Sequence, residues 1–254
     1  MRVQKTVLLP VLVLLMVACQ KSGYHLTNQT YQRIQVDSVA APGNTAMTRF
    51  LEPYKQKLGQ TMNEVLVESA VPLDKAKPES ALNNMLADAI LQYGRQTLGV
   101  AVDCSHLNYG GIRTSLPKGP IRIGHIYEVM PFDNQLTLMT MKGSMLREFF
   151  EYFIGNQAEE NALIVGGVRV VVKNNLLTSI TFTNGRTFDP NQTYTVLMSD
   201  YIASRGGGTA FLKDAVARKD FAVTIRDVFI DYFRQLGKSG QPINPTIDGR
   251  ISIQ

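Results

Sequence analysis

From about residue 44 onward, apolar side chains recur along this chain at intervals that switch between helical and extended periods. Leu82, Met85, Leu86, Ala89, Ile90 and Tyr93 stand at offsets 0, 3, 4, 7, 8 and 11, so one face of a helix beginning near Pro78 is expected to be buried. Ile225, Val228, Phe229, Tyr232, Phe233 and Leu236 repeat those offsets and predict a helix over 224–237. Met47, Phe50, Leu51, Tyr54 and Leu58 also recur at helical spacing, with Pro53 marking a kink or a restart. Between these lie shorter patterns. Val100 to Cys104 predicts a strand, and Leu136-Thr137-Leu138 opens an alternating one. Gly143 precedes a short helix that buries Met145, Leu146, Phe149, Phe150 and Phe153. Val168 to Lys173 and Leu177 to Thr183 flank Asn174-Asn175 and predict a hairpin, and Asn184-Gly185 turns the chain toward a strand over Tyr194 to Met198. A further helix is expected around Ala210 to Ala217, and a last strand at Ile251 to Ile253. Helices interleaved with hairpin strands predict an α/β or α+β domain with a mixed sheet.

The first residues follow a different pattern. Arg2 and Lys5 precede an apolar run from Val7 to Val17 that ends in Met16-Val17-Ala18-Cys19. The run fits the roughly 7–15 residues of a signal-peptide core and falls short of the roughly 20 of a membrane-spanning helix. Small residues before Cys19 are similar to a bacterial lipobox, so residues 1–18 are expected to be a signal peptide and Cys19 the lipidated residue. Residues 19–43 are polar, end in Ala41-Pro42-Gly43, and are expected to tether residues 44–254 to a membrane, facing the periplasm or the cell surface.

Composition narrows the chemistry. The chain has 254 residues, of which only 3 are His and 2 are Cys, with no Trp. His25, His106 and His125 are too few for a self-contained multi-histidine metal site, so no metal or cofactor is expected in this chain. The formal charge of +5 has no Lys/Arg run behind it, and nucleic acid is not an expected partner. If Cys19 carries lipid, Cys104 stands alone as a buried structural thiol and no intramolecular disulfide forms. Ser115, Ser144 and Ser204 lie outside any nucleophile-elbow pattern, no histidine is spaced as a base, and Glu159-Glu160 read as solvated charge. No catalytic residue is assigned.

What remains is recognition. Asn108-Tyr109-Gly110-Gly111-Ile112-Arg113 follows a strand. Its glycines let the backbone turn sharply or approach a ligand, and Arg113 offers a planar fork of donors for phosphate or carboxylate oxygens. A tight turn with a surface arginine is the other reading of those residues. Pro131-Phe132-Asp133-Asn134 sets an aromatic beside an amide that can both donate and accept. Asp200-Tyr201-Ile202-Ala203-Ser204-Arg205-Gly206-Gly207-Gly208 leads a second aromatic into a glycine-rich loop.

In order, these segments resemble the C-terminal domain of the bacterial 5'-nucleotidase and UDP-sugar hydrolase family. Asn84-Met85-Leu86-Ala87-Asp88-Ala89 resembles its Asn-Leu-Ile-Ala-Asp-Ala helix, Asn108 to Arg113 its Asn-Gly-Gly-Gly-Ile-Arg loop, and Pro131 to Asn134 its Pro-Phe-x-Asn element. Phe188-Asp189-Pro190 with Tyr194-Thr195-Val196, Asp200 to Ser204, and Gly249-Arg250-Ile251 continue the likeness. The resemblance implies an α/β/β/α layered fold with mixed sheets and a nucleotide or nucleoside ligand. Phe132 and Tyr201 would sandwich the base, Asn134 would bond its edge, and Arg113 would hold phosphate, with Asn108, Gly110 and Gly111 lining the same site. Two positions depart from the family: Gly207 stands where an Asp is usual, and Ala76, between Lys75 and Lys77, where an Arg is usual. In that family a separate metallophosphatase domain carries two divalent metals, for which three histidines and the residues before 44 leave no room. The expectation is therefore the substrate-specificity half of a split 5'-nucleotidase acting in nucleotide catabolism, with a metallophosphatase on another chain. A non-catalytic nucleotide- or nucleoside-binding surface lipoprotein is the alternative.

Overall fold

The computed structural model describes residues 28–31, 45–155, 161–204 and 206–254. The expected signal peptide, Cys19, nearly all of the tether, and Glu159-Glu160 lie outside the described residues. The chain divides into two compact units, residues 1–50 and 51–254. Helix α1 (Thr45–Met62) runs unbroken through Pro53, with no restart. The helical spacing of Met47, Phe50, Leu51, Tyr54 and Leu58 marks this helix, yet all five side chains are exposed. Among the described residues, no helix is long and apolar enough to cross a membrane.

Strand β1 (Val65–Ser69) leads to helix α2 (Ala81–Gln96), whose start is set by Ser80: its hydroxyl accepts from the Asn83 N–H at 3.1 Å. Leu82, Met85, Leu86, Ala89 and Ile90 are buried as their spacing requires. The strand expected at Val100 to Cys104 forms later, as β2 (Cys104–His106). The residues before it are used in closing α2: the Val100 N–H returns to the Gly94 carbonyl at 3.1 Å, and Arg95 grips the Val102 carbonyl through Nε and Nη2 at 3.0 and 2.8 Å. There follow β3 (Gly119–Arg122), α3 (Ile123–Val129), β4 (Gln135–Lys142), α4 (Gly143–Gly155) and the short β5 (Val165–Gly166). The hairpin is β6 (Val168–Lys173) and β7 (Leu176–Phe182), turned by Asn174 and Asn175 at φ 50° and 62°.

Strand β8 (Thr193–Ser199) ends in the helical turn α5 (Asp200–Ala203). The helix expected over Ala210 to Ala217 shrinks to a 3-10 turn at Ala210–Asp214, and an edge strand, β9 (Ala217–Thr224), takes up the rest. Thr224 caps α6 (Ile225–Gly237), and β10 (Ile251–Ile253) closes the chain.

Three sheets result among the described residues. The largest has five strands in the order β5-β2-β8-β4-β9, and β10-β6-β7 and β1-β3 form two smaller ones. Strand β8 explains the layering, since Leu197 faces a core built with α2, α3 and α6 while Val196 and Met198 face another built with α4 and the hairpin sheet. A strand covered on both faces is apolar at consecutive positions, as Val196-Leu197-Met198 is. The class is mixed α/β with mixed sheets, as expected. Arg250 fixes the C-terminal end to α2, its Nη1 and Nη2 donating to the two carboxylate oxygens of Asp88 at 2.8 and 2.9 Å. The Glu79 carboxylate accepts from the N–H groups of residues 248–251 at 3.2–3.4 Å.

Candidate functional site

Strand directions in the large sheet decide where the site forms. Strand β2 runs parallel to β8, with Ser105 opposite Leu197, so the segments after both emerge at one edge. Strand β4 runs antiparallel to β8, with Leu136 opposite Ser199, so the segment before it lies at that same edge. Strand β5 runs antiparallel to β2, with Val165 opposite His106, and brings the residues before it there too. Asn108 to Arg113, Phe132 to Asn134, and Tyr201 thus meet although they are far apart in sequence.

They line one cavity of about 400 Å³, whose wall includes all seven residues singled out from the sequence: Asn108, Gly110, Gly111, Arg113, Phe132, Asn134 and Tyr201. Asn161 and Ile202 complete the wall, and neither was expected. Ile202 follows Tyr201 in the same helical turn, so the motif pointed to its neighbour. Asn161 sits in a polar stretch that reads as an ordinary loop, and only the pairing of β5 with β2 brings it to the site.

The Asn108 loop is a 3-10 turn, closed by the Gly111 N–H donating to the Asn108 carbonyl at 3.0 Å. A Cβ at Gly111 would lie 2.8 Å from Asn108 Nδ2, so glycine is what allows the asparagine to fold across its own turn. The Arg113 backbone N–H bonds the Val129 carbonyl at 2.9 Å, while its exposed side chain donates from Nη1 to the Gly110 carbonyl at 3.1 Å. Nearby, Lys75 Nζ donates to the Ile112 carbonyl at 2.6 Å, and Lys75 and Lys77 stand 4.0 and 4.8 Å from the Tyr109 ring centroid. Two cations, Lys75 and Arg113, thus reach the loop backbone and Lys77 lies beside its Tyr109 ring, a setting that favours an anionic group.

Phe132 and Tyr201 are 41% and 49% exposed, large aromatics left in contact with solvent at a concave surface rather than packed into a core. Tyr201 is the second residue of α5, whose Ser199 cap accepts from the Ile202 N–H at 3.3 Å. The glycine loop rises against its ring: a Cβ at Gly206 would fall 2.7 Å from both Cε1 and Cε2. Buried Thr209 pins this turn, its hydroxyl lying 2.7 Å from the Ile202 carbonyl and 2.9 Å from that of Gly206.

His106 and His125 stand outside the cavity wall, and His25 lies outside the described residues. His125 accepts the Arg122 N–H at 3.2 Å at the start of α3. His106 is wholly buried, with ring centroids of Phe149 and Phe153 at 4.8 and 4.5 Å and, among the described residues, no hydrogen-bond partner at either nitrogen. Burial pushes its pKa down to about 3. Cys104 is buried as expected, and burial raises its thiol pKa. Among the described residues, no group of three or more His, Cys, Asp or Glu side chains is placed to hold a metal.

Comparison with known proteins identifies the family and the fold. Residues 57–214 match the family model described as "5'-nucleotidase, C-terminal domain". The chain is 26% identical over 217 residues to the trifunctional nucleotide phosphoesterase protein YfkN of Bacillus subtilis (79% of this chain, 14% of that protein). It is 25% identical over 240 residues to human 5'-nucleotidase (84% of this chain, 41% of that protein). Among solved structures, the 5'-nucleotidase precursor of Thermus thermophilus superposes with a TM-score of 0.69 at 29% identity, covering 85% of this chain and 44% of that one. The chain thus spans less than half the length of each of these relatives.

Proposed function

This chain belongs to the family of 5'-nucleotidase C-terminal domains, and we propose that it is the nucleotide-recognition half of a split 5'-nucleotidase. In this reading it positions a nucleotide for phosphate ester hydrolysis by a separate dimetal metallophosphatase chain, as a step in nucleotide catabolism. The observation that carries the reading is the convergence of two exposed aromatics, an amide and a guanidinium on one cavity. Phe132 and Tyr201 stack on the two faces of the base, each contact contributing about 1–3 kcal/mol. Asn134 bonds the base edge through an amide that offers both a donor and an acceptor. Arg113 holds the phosphate in a charge-assisted fork and sets the direction in which the ester points.

Cleavage is assigned to the partner because neither His106 nor His125 lines the cavity, no group of three or more His, Cys, Asp or Glu side chains among the described residues is placed to hold a metal, and the shared region is a minor part of the relatives' length. The partner's metal pair would supply the activated water and stabilise the leaving oxygen. Lipidation of Cys19 would hold the domain at a membrane, where a co-anchored partner is present at high effective concentration.

Two measurements test this. Calorimetry with AMP and UMP should show saturable binding that falls about tenfold in Phe132→Ala and in Tyr201→Ala, with thermal stability little changed because both rings are exposed. Purified chain should release no phosphate from AMP with added divalent metal, and release should begin on addition of an exported metallophosphatase that has no C-terminal domain of its own. Binding without any gain on mixing would favour the non-catalytic nucleotide-binding lipoprotein. Unchanged affinity in both aromatic variants would remove the sandwich.

A further inference from the structure

The segment that carries Phe132 is tied down by a side chain 94 residues away in sequence. Arg226 is the second residue of α6, and its side chain is only 11% exposed. Its Nη1 lies 3.4 Å from the Met130 carbonyl oxygen and 3.3 Å from that of Phe132, and its Nη2 donates to Oδ1 of Asp133. The guanidinium lies over the Tyr127 ring of α3, with Cζ 4.3 Å from the centroid. One residue earlier, the Ile225 N–H donates to the Asn134 carbonyl at 2.8 Å. These contacts reach Phe132 and Asn134 from the first turn of one helix, and the forked guanidinium makes most of them.

The arrangement is costly in ways that core packing does not require. Arg226 is withdrawn from water, and its Nε has no hydrogen-bond partner among the described residues. Asp133, which it grips, is 82% exposed, and Phe132 is 41% exposed. A segment with so little buried surface is not positioned by the hydrophobic core and would otherwise sample many conformations. Fixing it before a ligand arrives removes an ordering cost from binding.

We propose that Arg226 is the positioning residue of the base-binding wall, holding Phe132 and Asn134 in place so that the cavity favours a base-bearing phosphate over a base-free one. This rests on the nucleotide reading above and adds to it the group that creates the discrimination. Arg226 itself does not touch the base.

The full chain is compared as wild type, Arg226→Met, Arg226→Lys and Phe132→Ala, with AMP and ribose 5-phosphate as probes, by calorimetry below the melting temperature of each variant. Arg226→Met should bind AMP roughly tenfold more weakly, the loss of one stacked contact, while ribose 5-phosphate binding stays within about twofold. Arg226→Lys should fall between, because an ammonium reaches one acceptor and not the fork of three. If Arg226→Met does not fold, Arg226→Lys decides on the same ratio. Wild-type AMP affinity in the Arg226 variants, or an equal loss for both probes, overturns the proposal. Phe132→Ala separates the two possible failures. A weakened Phe132→Ala beside an unaffected Arg226→Lys strikes only the role of Arg226, whereas an unaffected Phe132→Ala strikes the nucleotide reading itself.

Discussion

The two aromatic walls of the cavity are built in opposite ways. Tyr201 is fixed locally: Ser199 caps its turn, Thr209 ties Ile202 to Gly206, and Gly206 lies against its ring, all within 11 residues of chain. Phe132 is fixed from a distance, by Arg226 and Ile225 on a helix more than 90 residues later. The local wall depends on close backbone approach and neutral hydrogen bonds. The distant wall depends on an ionic side chain and on the docking of α6. A wall of the first kind is lost by adding atoms, and a wall of the second kind by removing one group or undocking a helix.

The largest expected effect acts beneath both walls. His106 lies in β2, two residues before Asn108, and must stay neutral to remain buried. Its folded pKa of about 3 lies below the unfolded value of 6.5, so the unfolded state binds the extra proton first as pH falls. Stability is full above pH 6.5 and declines between 6.5 and 3. Denaturant melts should show a loss of roughly 3 kcal/mol between about pH 7 and pH 4. His106→Leu should flatten that slope while leaving AMP affinity at neutral pH unchanged. Asp103 adds a second, lower window. Burial opposes its ionisation, but the Thr195 N–H and the Arg186 guanidinium outweigh burial and hold its carboxyl below the usual range, so its contribution is lost as pH falls below the unfolded value of about 3.8. An acid slope unaltered by His106→Leu would place the sensitivity in the carboxylates alone.

A smaller effect should touch only the local wall. In Gly206→Ala the new methyl meets the Tyr201 carbonyl oxygen at 2.4 Å and the ring at 2.7 Å, so the turn or the ring must move. AMP affinity is predicted to fall by about tenfold, the scale of one displaced stack, and Gly206→Ala in a Tyr201→Ala background should cost nothing further in binding. Additive losses in the double variant would show that Gly206 acts elsewhere than through the ring.

The smallest effect should distinguish the walls by charge. Raising salt from ~0.05 to ~1 M screens the Arg226–Asp133 pair, whose aspartate is 82% exposed, but leaves the carbonyl contacts of Arg226 in place. Adenosine, a neutral probe, should lose less than about twofold in affinity. A loss beyond about fivefold would mean that the ion pair, rather than the carbonyl latch, holds the Phe132 wall.

Helices α2 and α6 were legible because a buried face at 3.6-residue spacing has one solution, and Leu82 to Ile90 and Ile225 to Phe233 take it. The hairpin was legible because paired asparagines tolerate the positive φ its turn requires. Strand β9 was not, since Ala217-Arg218-Lys219-Asp220 is exposed at a sheet edge and pairs as a strand through the β4 ladder. In α1 periodicity identified the helix but not its environment, because spacing reports regularity and not what covers a face.

The sequence by itself determined the residue types the cavity uses: two aromatics, an amide, an arginine and a glycine turn, each beside a local motif that marks it. Tertiary structure decided that they line one cavity, because the parallel β2–β8 and antiparallel β4–β8 pairings bring separated segments to a single sheet edge. It also added what no local motif marks, Asn161 in the wall and Arg226 behind it. Their roles arise from contacts across long stretches of chain, and neither spacing nor propensity carries that information.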